Sequence, residues 1–127
     1  MSIRCLIVDD SPRFAAEAGT LLEEEGIRVV GIATGGEEAV RLARDLRPDL
    51  ALVDIDLGGE SGLDVTRRLF GEQDGSLVGA VILVSTHSED EFTELIAASP
   101  AIGFLAKSEL GADAIEALLG RYGQWVQ

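Results

Sequence analysis

The sequence predicts an α/β domain: one parallel sheet of five strands with helices packed on both of its faces. Three observations carry that prediction. Short apolar, β-leaning runs alternate along the chain with segments whose apolar residues recur at helical spacing. Two of the runs, Leu50–Val53 and Val78–Val84, carry no polar side chain, as expected of strands covered on both sides of a parallel sheet. The links between elements are short, and crossovers of one hand then produce a single sheet. A chain of 127 residues holds one such domain with a substantial core and leaves no room for a second.

Each element follows from local signals. The first strand, Arg4–Val8, runs into Asp9-Asp10. Ser11-Pro12 then starts a helix, a hydroxyl N-cap followed by proline at the first helical position. Phe14, Ala18, Leu21, Leu22 and Glu25 recur at helical spacing until Gly26 closes it. Ile27–Ala33 is a second strand, in which Gly31 marks a weak point or a close approach. Gly35-Gly36 leads into a helix with Ala39, Val40, Ala43 and Leu46 on one face. Arg41, Arg44 and Arg47 occupy its later turns, where the helix dipole favours cations, and Pro48 stops it.

The central strand is Leu50–Asp54, four apolar residues ending in an acid, with Gly58-Gly59 in the loop that follows. A helix over 62–70 presents Val65 and Leu69 inward, and 71–75 reads as a polar turn. The fourth strand, Val78–Val84, ends at Ser85-Thr86-His87. Ser88 and Glu91 have capping-box spacing for a helix carrying Phe92, Leu95 and Ile96, which Pro100 breaks. Ile102–Ala106 is a short fifth strand ending at Lys107. The last helix, after Gly111, buries Ile115, Leu118, Leu119 and Tyr122. The result is a flavodoxin-like, doubly wound α/β domain of five strands and five helices.

Composition narrows the function. Ten basic against 23 acidic residues leave a formal charge of -13, which argues against direct nucleic-acid binding and suits a protein that meets cations or basic surfaces. No apolar run approaches the roughly 18 residues of a membrane span. Met1-Ser2-Ile3-Arg4 leads straight into a strand with no cleavage-site pattern, so no signal peptide is expected. Cys5 is the only cysteine; it reads as a small buried hydrophobe, and a reducing cytoplasm is the expected setting.

In a parallel sheet the carboxyl ends of the strands share one edge, where ligands bind. The residues that reach it here are Asp9, Asp10, Asp54, Ser85 with Thr86, and Lys107. Three crowded carboxylates repel one another unless a cation sits among them. Short acidic side chains suit Mg²⁺, which keeps waters and takes a phosphate oxygen as well. A lysine and a hydroxyl are the groups wanted around a phosphoryl oxygen. The edge therefore reads as a site for phosphoryl transfer to or from a carboxylate, with Asp54 as nucleophile.

This set, in this order on a five-fold β/α chain, resembles the receiver domain of bacterial two-component response regulators over about residues 3 to 122. The resemblance implies that Asp54 accepts a phosphoryl group from the phosphohistidine of a sensor histidine kinase. It implies that Asp10 and Asp54 bind Mg²⁺ directly, with the backbone carbonyl of Asp56 as third ligand, and that Asp9 acts largely through water. Ser85 and Lys107 would hold phosphoryl oxygens, and Ser85 and Phe104 would move together as the switch. The surface of the fourth helix, fifth strand and fifth helix would carry the change to a partner or a second copy of the chain. The stretch Val84–Ala114 looks closest to receivers attached to helix-turn-helix DNA-binding domains.

Several positions depart from the common receiver pattern. Many receivers carry proline four residues after the acceptor; Gly58 stands there, predicting a looser loop. Thr86 is bulkier than the alanine or glycine often found after the switch hydroxyl. His87 is the only histidine, and Asp56 adds a fourth carboxylate. Asp56, Thr86 and His87 are therefore candidates for tuning phosphoryl lifetime. Each residue has a plainer reading: Asp9-Asp10 as a helix-capping pair, Ser85 as a backbone partner, Lys107 as a surface lysine, Phe104 as core. Two rival functions also stand. A receiver-like interaction module would keep the fold without phosphorylation. A phosphatase of the haloacid-dehalogenase type shares the apolar strand into Asp54-x-Asp56, but there the nucleophile strand comes first and the acidic pair last, the reverse of the order here.

Overall fold

The computed structural model describes residues 3–71, 76–86 and 93–122, with side chains as far as residue 120. In chain order the elements are β1 (Arg4–Val8), α1 (Pro12–Glu24), β2 (Arg28–Ala33), α2 (Gly36–Leu46), β3 (Leu50–Asp54), α3 (Gly62–Leu69), β4 (Ala80–Ser85), α4 (Thr93–Ala97), β5 (Gly103–Ala106) and α5 (Ala112–Tyr122). The strands form one five-stranded parallel sheet in the order β2-β1-β3-β4-β5. The chain starts in the middle, steps outward once, then returns and builds the other side, which leaves the reversal point beside β1 and β3.

Side-chain alternation along the strands makes two cores. Leu6, Val8, Ala51, Val53, Val81 and Leu83 face α2, α3 and α4 through Ala39, Ala43, Val65, Leu69 and Ile96. Cys5, Ile7, Leu50, Leu52, Ile82 and Val84 face α1 and α5 through Ala15, Ala18, Leu22, Ile115 and Leu119. Every residue of β3 and β4 is buried, as their unbroken apolar runs require.

The ends predicted for the first two helices hold. Ser11 Oγ accepts from Phe14 N at 3.3 Å with Pro12 in the first turn, and Gly26 follows α1 with φ +96°. Arg47, forced out of the helix by Pro48, ends α2 in the left-handed region at φ +48°. Gly31 is a close approach: a β-carbon there would lie 3.2 Å from Leu46 Cδ1, and the β1–β2 register skips a residue at this point.

Other expectations are corrected. The fourth strand begins at Ala80, because Leu77 and Val78 bury their side chains outside the ladder, Leu77 N donating to Leu69 O at 2.8 Å. Ile27 completes the turn after α1, its N–H bonded to Leu22 O at 2.9 Å, so β2 starts one residue later. Leu21 and Leu95 point outward, at 36% and 51% exposure, because the buried faces centre on Ala15, Ala18 and Leu22 and on Ile96. His87, the Ser88–Glu91 capping box, Phe92 and the Tyr122 side chain lie outside the described residues.

Candidate functional site

The carboxyl ends of β1, β3, β4 and β5 bring the predicted residues to one edge. Asp9 is held by its backbone, since its N–H extends the β1–β2 ladder to Ala33 O at 2.9 Å. Its side chain is fully buried; Oδ1 accepts from Ser11 N at 2.8 Å, tying the acid to the start of α1. Asp9 Oδ2 is 2.7 Å from Lys107 Nζ, an ion-pair distance, yet receives no well-directed hydrogen bond. A buried oxygen in that state has capacity left for a cation.

Asp54 closes β3 at 6% exposure. Its Oδ1 accepts from Asp56 N at 3.0 Å and its Oδ2 from Lys107 Nζ at 3.0 Å. Burial pushes the Asp54 carboxyl above the ordinary aspartate value and the Asp9 charge adds to the push, against the bonds from Lys107 and the Asp56 N–H. For Lys107 the order of effects gives another outcome: burial pulls the ammonium down, and its close contacts with and attraction to Asp9 and Asp54 outweigh it, leaving the pKa raised. The lysine is thus firmly charged between two acids of which one resists ionising.

Lys107 is aimed from two sides. It opens a single 3₁₀ turn, Lys107–Glu109, directly after β5, and its Nζ lies 4.1 Å from the centroid of the Phe14 ring. The ring face offers a partly buried ammonium a third partner that carries no charge. Phe14 reads in the sequence only as one apolar position of α1; its tie to Lys107 becomes visible when the strand ends are assembled.

Asp10 is exposed, and one oxygen from each of Asp9, Asp10 and Asp54 lies within 4.8 Å of the others. This is an all-oxygen donor set of the kind that holds a hard divalent cation. Room for Asp10 comes from the loop after β3: Gly58 has φ +75°, and a β-carbon there would lie 3.0 Å from Asp10 Oδ2. Proline, fixed near −65°, cannot take this conformation, so the glycine belongs to a different loop path. The path is closed by hydrogen bonds, contrary to the looser loop expected. Asp56 and Ser61 form a bridge, Leu57 N donates to Glu60 O at 3.1 Å, and Gly58 N donates to Asp56 Oδ1 at 3.2 Å. Gly62 follows against the strand end, where a β-carbon would fall 1.9 Å from Asp54 O.

Ser85 ends β4, 4% exposed and in register with Ala106, and Thr86 is exposed beyond it. Leu83 pairs with Phe104, so Ser85 and the half-buried Phe104 share the sheet face covered by α2, α3 and α4. Asp54, Asp56, Gly58, Glu60, Ser85 and Thr86 line one open cleft of about 500 Å³. Glu60 had no signal of its own in the sequence; it becomes noticeable only beside the Gly35-Gly36 turn it reaches. The predicted site residues among those described therefore all lie on this edge or immediately behind it.

The comparisons agree with this geometry. The response regulator receiver domain family matches residues 5–119. The chain is 35% identical over 106 residues to the response regulator GacA of Pseudomonas aeruginosa, covering 83% of this chain and 48% of that protein. It is 35% identical over 116 residues to the nitrate/nitrite response regulator protein NarL of Escherichia coli, covering 89% of this chain and 51% of the relative. The chain thus spans about half the length of the curated relatives it matches. Among solved structures, the signal receiver domain of a modulated diguanylate cyclase from Desulfovibrio desulfuricans superposes with a TM-score of 0.76 at 34% identity, over 95% of this chain and 93% of that one. A two-component response regulator of the LuxR family from Aurantimonas gives 0.78 at 27% identity, over 94% and 87%. Sequence, topology and the acid-lysine edge agree: the chain belongs to the family of response regulator receiver domains.

Proposed function

We propose that residues 1–127 form a single receiver domain of a two-component signalling system, accepting a phosphoryl group on Asp54 from a sensor histidine kinase and switching conformation in response. The observation that carries the reading is Lys107 Nζ lying between Asp9 Oδ2 and Asp54 Oδ2 at 2.7 and 3.0 Å, with three carboxylates gathered at the same edge. Asp10 and Asp54 would hold Mg²⁺ with the Asp56 carbonyl, and Asp9 would act largely through water. The ion supplies positive charge to offset the phosphoryl oxygens.

An oxygen of Asp54 attacks phosphorus in line with the leaving nitrogen of the donor. The P–N bond breaks, and its electron pair stays on the imidazole. Transfer of this kind is governed by placement and charge, and the site's own residues serve both. Asp56 N holds Asp54 Oδ1, which leaves Oδ2 to react. Lys107 moves its bond from Asp54 to the incoming oxygens, and the Ser85 hydroxyl takes another. Ser85 and Phe104, on one face of β4 and β5, form the two-state element that phosphorylation biases. Asp56 and Thr86 border the water-accessible cleft and would tune hydrolysis of the acyl phosphate, together with His87.

The expected setting is the cytoplasm; no helix among the described residues is long and apolar enough to cross a membrane. The output would pass to an effector such as a helix-turn-helix DNA-binding domain, or through a homodimer, and this domain would not touch nucleic acid itself. Intact mass after incubation with acetyl phosphate tests the reading. One Mg²⁺-dependent phosphoryl adduct is expected on the wild type, lost on chelation and in Asp54→Asn. If neither acetyl phosphate nor a phosphorylated kinase yields an adduct, and calorimetry finds no Mg²⁺ binding, the phosphorylation-independent module replaces it.

A further inference from the structure

The turn into α2 lacks a cap of its own. Its N-cap residue is Gly35, extended at φ −163° and ψ 179°, with no side chain to accept from the first-turn N–H groups. Those donors need partners. One is satisfied from elsewhere in the fold: Gly36 N donates to Glu60 Oε1 at 2.5 Å, across a sequence separation of 24 residues. The approach depends on glycine, since β-carbons at Gly35 and Gly36 would lie 3.1 and 2.8 Å from the two Glu60 carboxylate oxygens. A carboxylate at a helix N-terminus is also favoured by the helix dipole.

Glu60 is at the same time the far side of the loop that follows Asp54. Its carbonyl accepts from Leu57 N at 3.1 Å, and its neighbour Ser61 bridges to Asp56. The carboxylate therefore fastens the loop carrying Asp56 to a second element, the start of α2. The bonds within the loop fix its shape, and the Glu60 carboxylate fixes its place against α2.

We propose that Glu60 is a positioning residue for the cation site: by capping α2 it holds the 55–61 loop, and with it the Asp56 carbonyl, in the place where Mg²⁺ is bound. This rests on the reading of Asp10, Asp54 and the Asp56 carbonyl as the Mg²⁺ site. Outer partners that hold metal ligands typically change affinity by about 10- to 100-fold when removed. Glu60 acts through the loop and never touches the ion, so an effect at the low end, about tenfold, is expected.

The experiment separates holding the loop from merely capping a helix. Glu60→Ala should weaken Mg²⁺ binding by calorimetry about tenfold and speed hydrogen exchange of the Leu57 amide in metal-free protein. Glu60→Gln keeps an acceptor and should restore both. The double variant Gly35→Ser with Glu60→Ala gives α2 a cap within its own chain segment, where the alanine removes the Glu60 oxygen that a β-carbon at position 35 would meet at 3.1 Å. It should recover the thermal midpoint while Mg²⁺ affinity stays weak and the Leu57 amide stays fast. The proposal is overturned if the double variant also recovers affinity and exchange protection, or if Glu60→Ala binds Mg²⁺ like the wild type. Wild-type protein that binds no Mg²⁺ would instead bring down the underlying reading, and the proposal with it.

Discussion

Leu52 and Asp54 stand two residues apart on β3, and both are almost wholly buried, at 2% and 6% exposure. Their burial has opposite signs. Leu52 leaves water for a core shared with Ile7, Ile82 and Leu22, which stabilises the fold by about 1.5–3 kcal/mol for a side chain of its size. Asp54 loses solvation, faces the Asp9 charge, and is only partly compensated by Lys107 and the Asp56 N–H. The same contrast runs through β1, where Cys5, Leu6, Ile7 and Val8 precede Asp9. The body of the sheet stabilises the molecule, and its carboxyl edge spends part of that stability to keep reactive groups together.

The largest separation is expected within β3 itself. Leu52→Ala should lower unfolding free energy by about 2–5 kcal/mol in urea, through lost burial and the cavity left behind. Asp54→Asn should melt at or above the wild-type midpoint, since a neutral side chain removes the carboxylate that burial and Asp9 both disfavour, while it abolishes phosphoryl labelling. A comparable stability loss in both variants would break the distinction between body and edge.

Gly62 tests where that boundary lies. It belongs to neither core as a side chain, yet a β-carbon would press 1.9 Å from the Asp54 carbonyl oxygen, which is backbone and must move as a unit. Gly62→Ala is expected to cost about 1–3 kcal/mol, the range for overpacking, and to displace Asp54, the proposed acceptor, as well. Denaturant melts with parallel acetyl-phosphate labelling check both. Unchanged labelling in a destabilised variant would assign Gly62 to the body alone.

The two parts differ in how much of them the sequence discloses. Body strands announce themselves because burial on both faces demands apolar residues at consecutive positions, and Leu50–Val53 leaves no alternative phase. Ser11-Pro12 and Pro48 mark helix ends because their chemistry is local. At the edge, Asp9, Asp54 and Lys107 are legible as a set because strand ends in a parallel sheet must converge. Partners that depend on three-dimensional approach are not legible. Phe14 beneath Lys107 and Glu60 at the Gly36 N–H join segments far apart in the chain. Where the body prediction slips, Val78 is core but lies outside the ladder and Leu95 sits on an outer helix face, and the apolar pattern alone separates neither from a buried ladder or helix position.

Cys5 probes the body through pH. Burial raises its thiol from 9.0 to about 12. Between those values the unfolded chain has released the proton and the folded one still holds it, so stability is fully present below pH 9 and falls as pH rises toward 12. The slope is at most about 1.4 kcal/mol per pH unit. Because other groups titrate in this range, the measurement is the difference between wild type and Cys5→Ala in urea midpoints from pH 8 to 10.5. Slow alkylation of the native thiol should accompany it. Parallel curves for the two proteins would mean that β1 opens at its amino end without global unfolding.

The smallest effect sharpens the edge. Phe14→Leu keeps apolar bulk beside Lys107 and removes the ring face 4.1 Å from its Nζ. A partly desolvated ammonium gains about 0.5–1 kcal/mol from such a face, so labelling by acetyl phosphate should slow roughly two- to fivefold. Phe14→Tyr keeps the π surface and should stay near the wild-type rate. The comparison matters because the other side chains that place Lys107 among the described residues are Asp9 and Asp54, and in the proposed transfer its bond to Asp54 would have to yield to the incoming phosphoryl group. A neutral partner that does not compete for the lysine's hydrogens would keep it in place through that exchange. Equal rates in wild type and Phe14→Leu would show that the two acids and the 3₁₀ turn suffice to aim it.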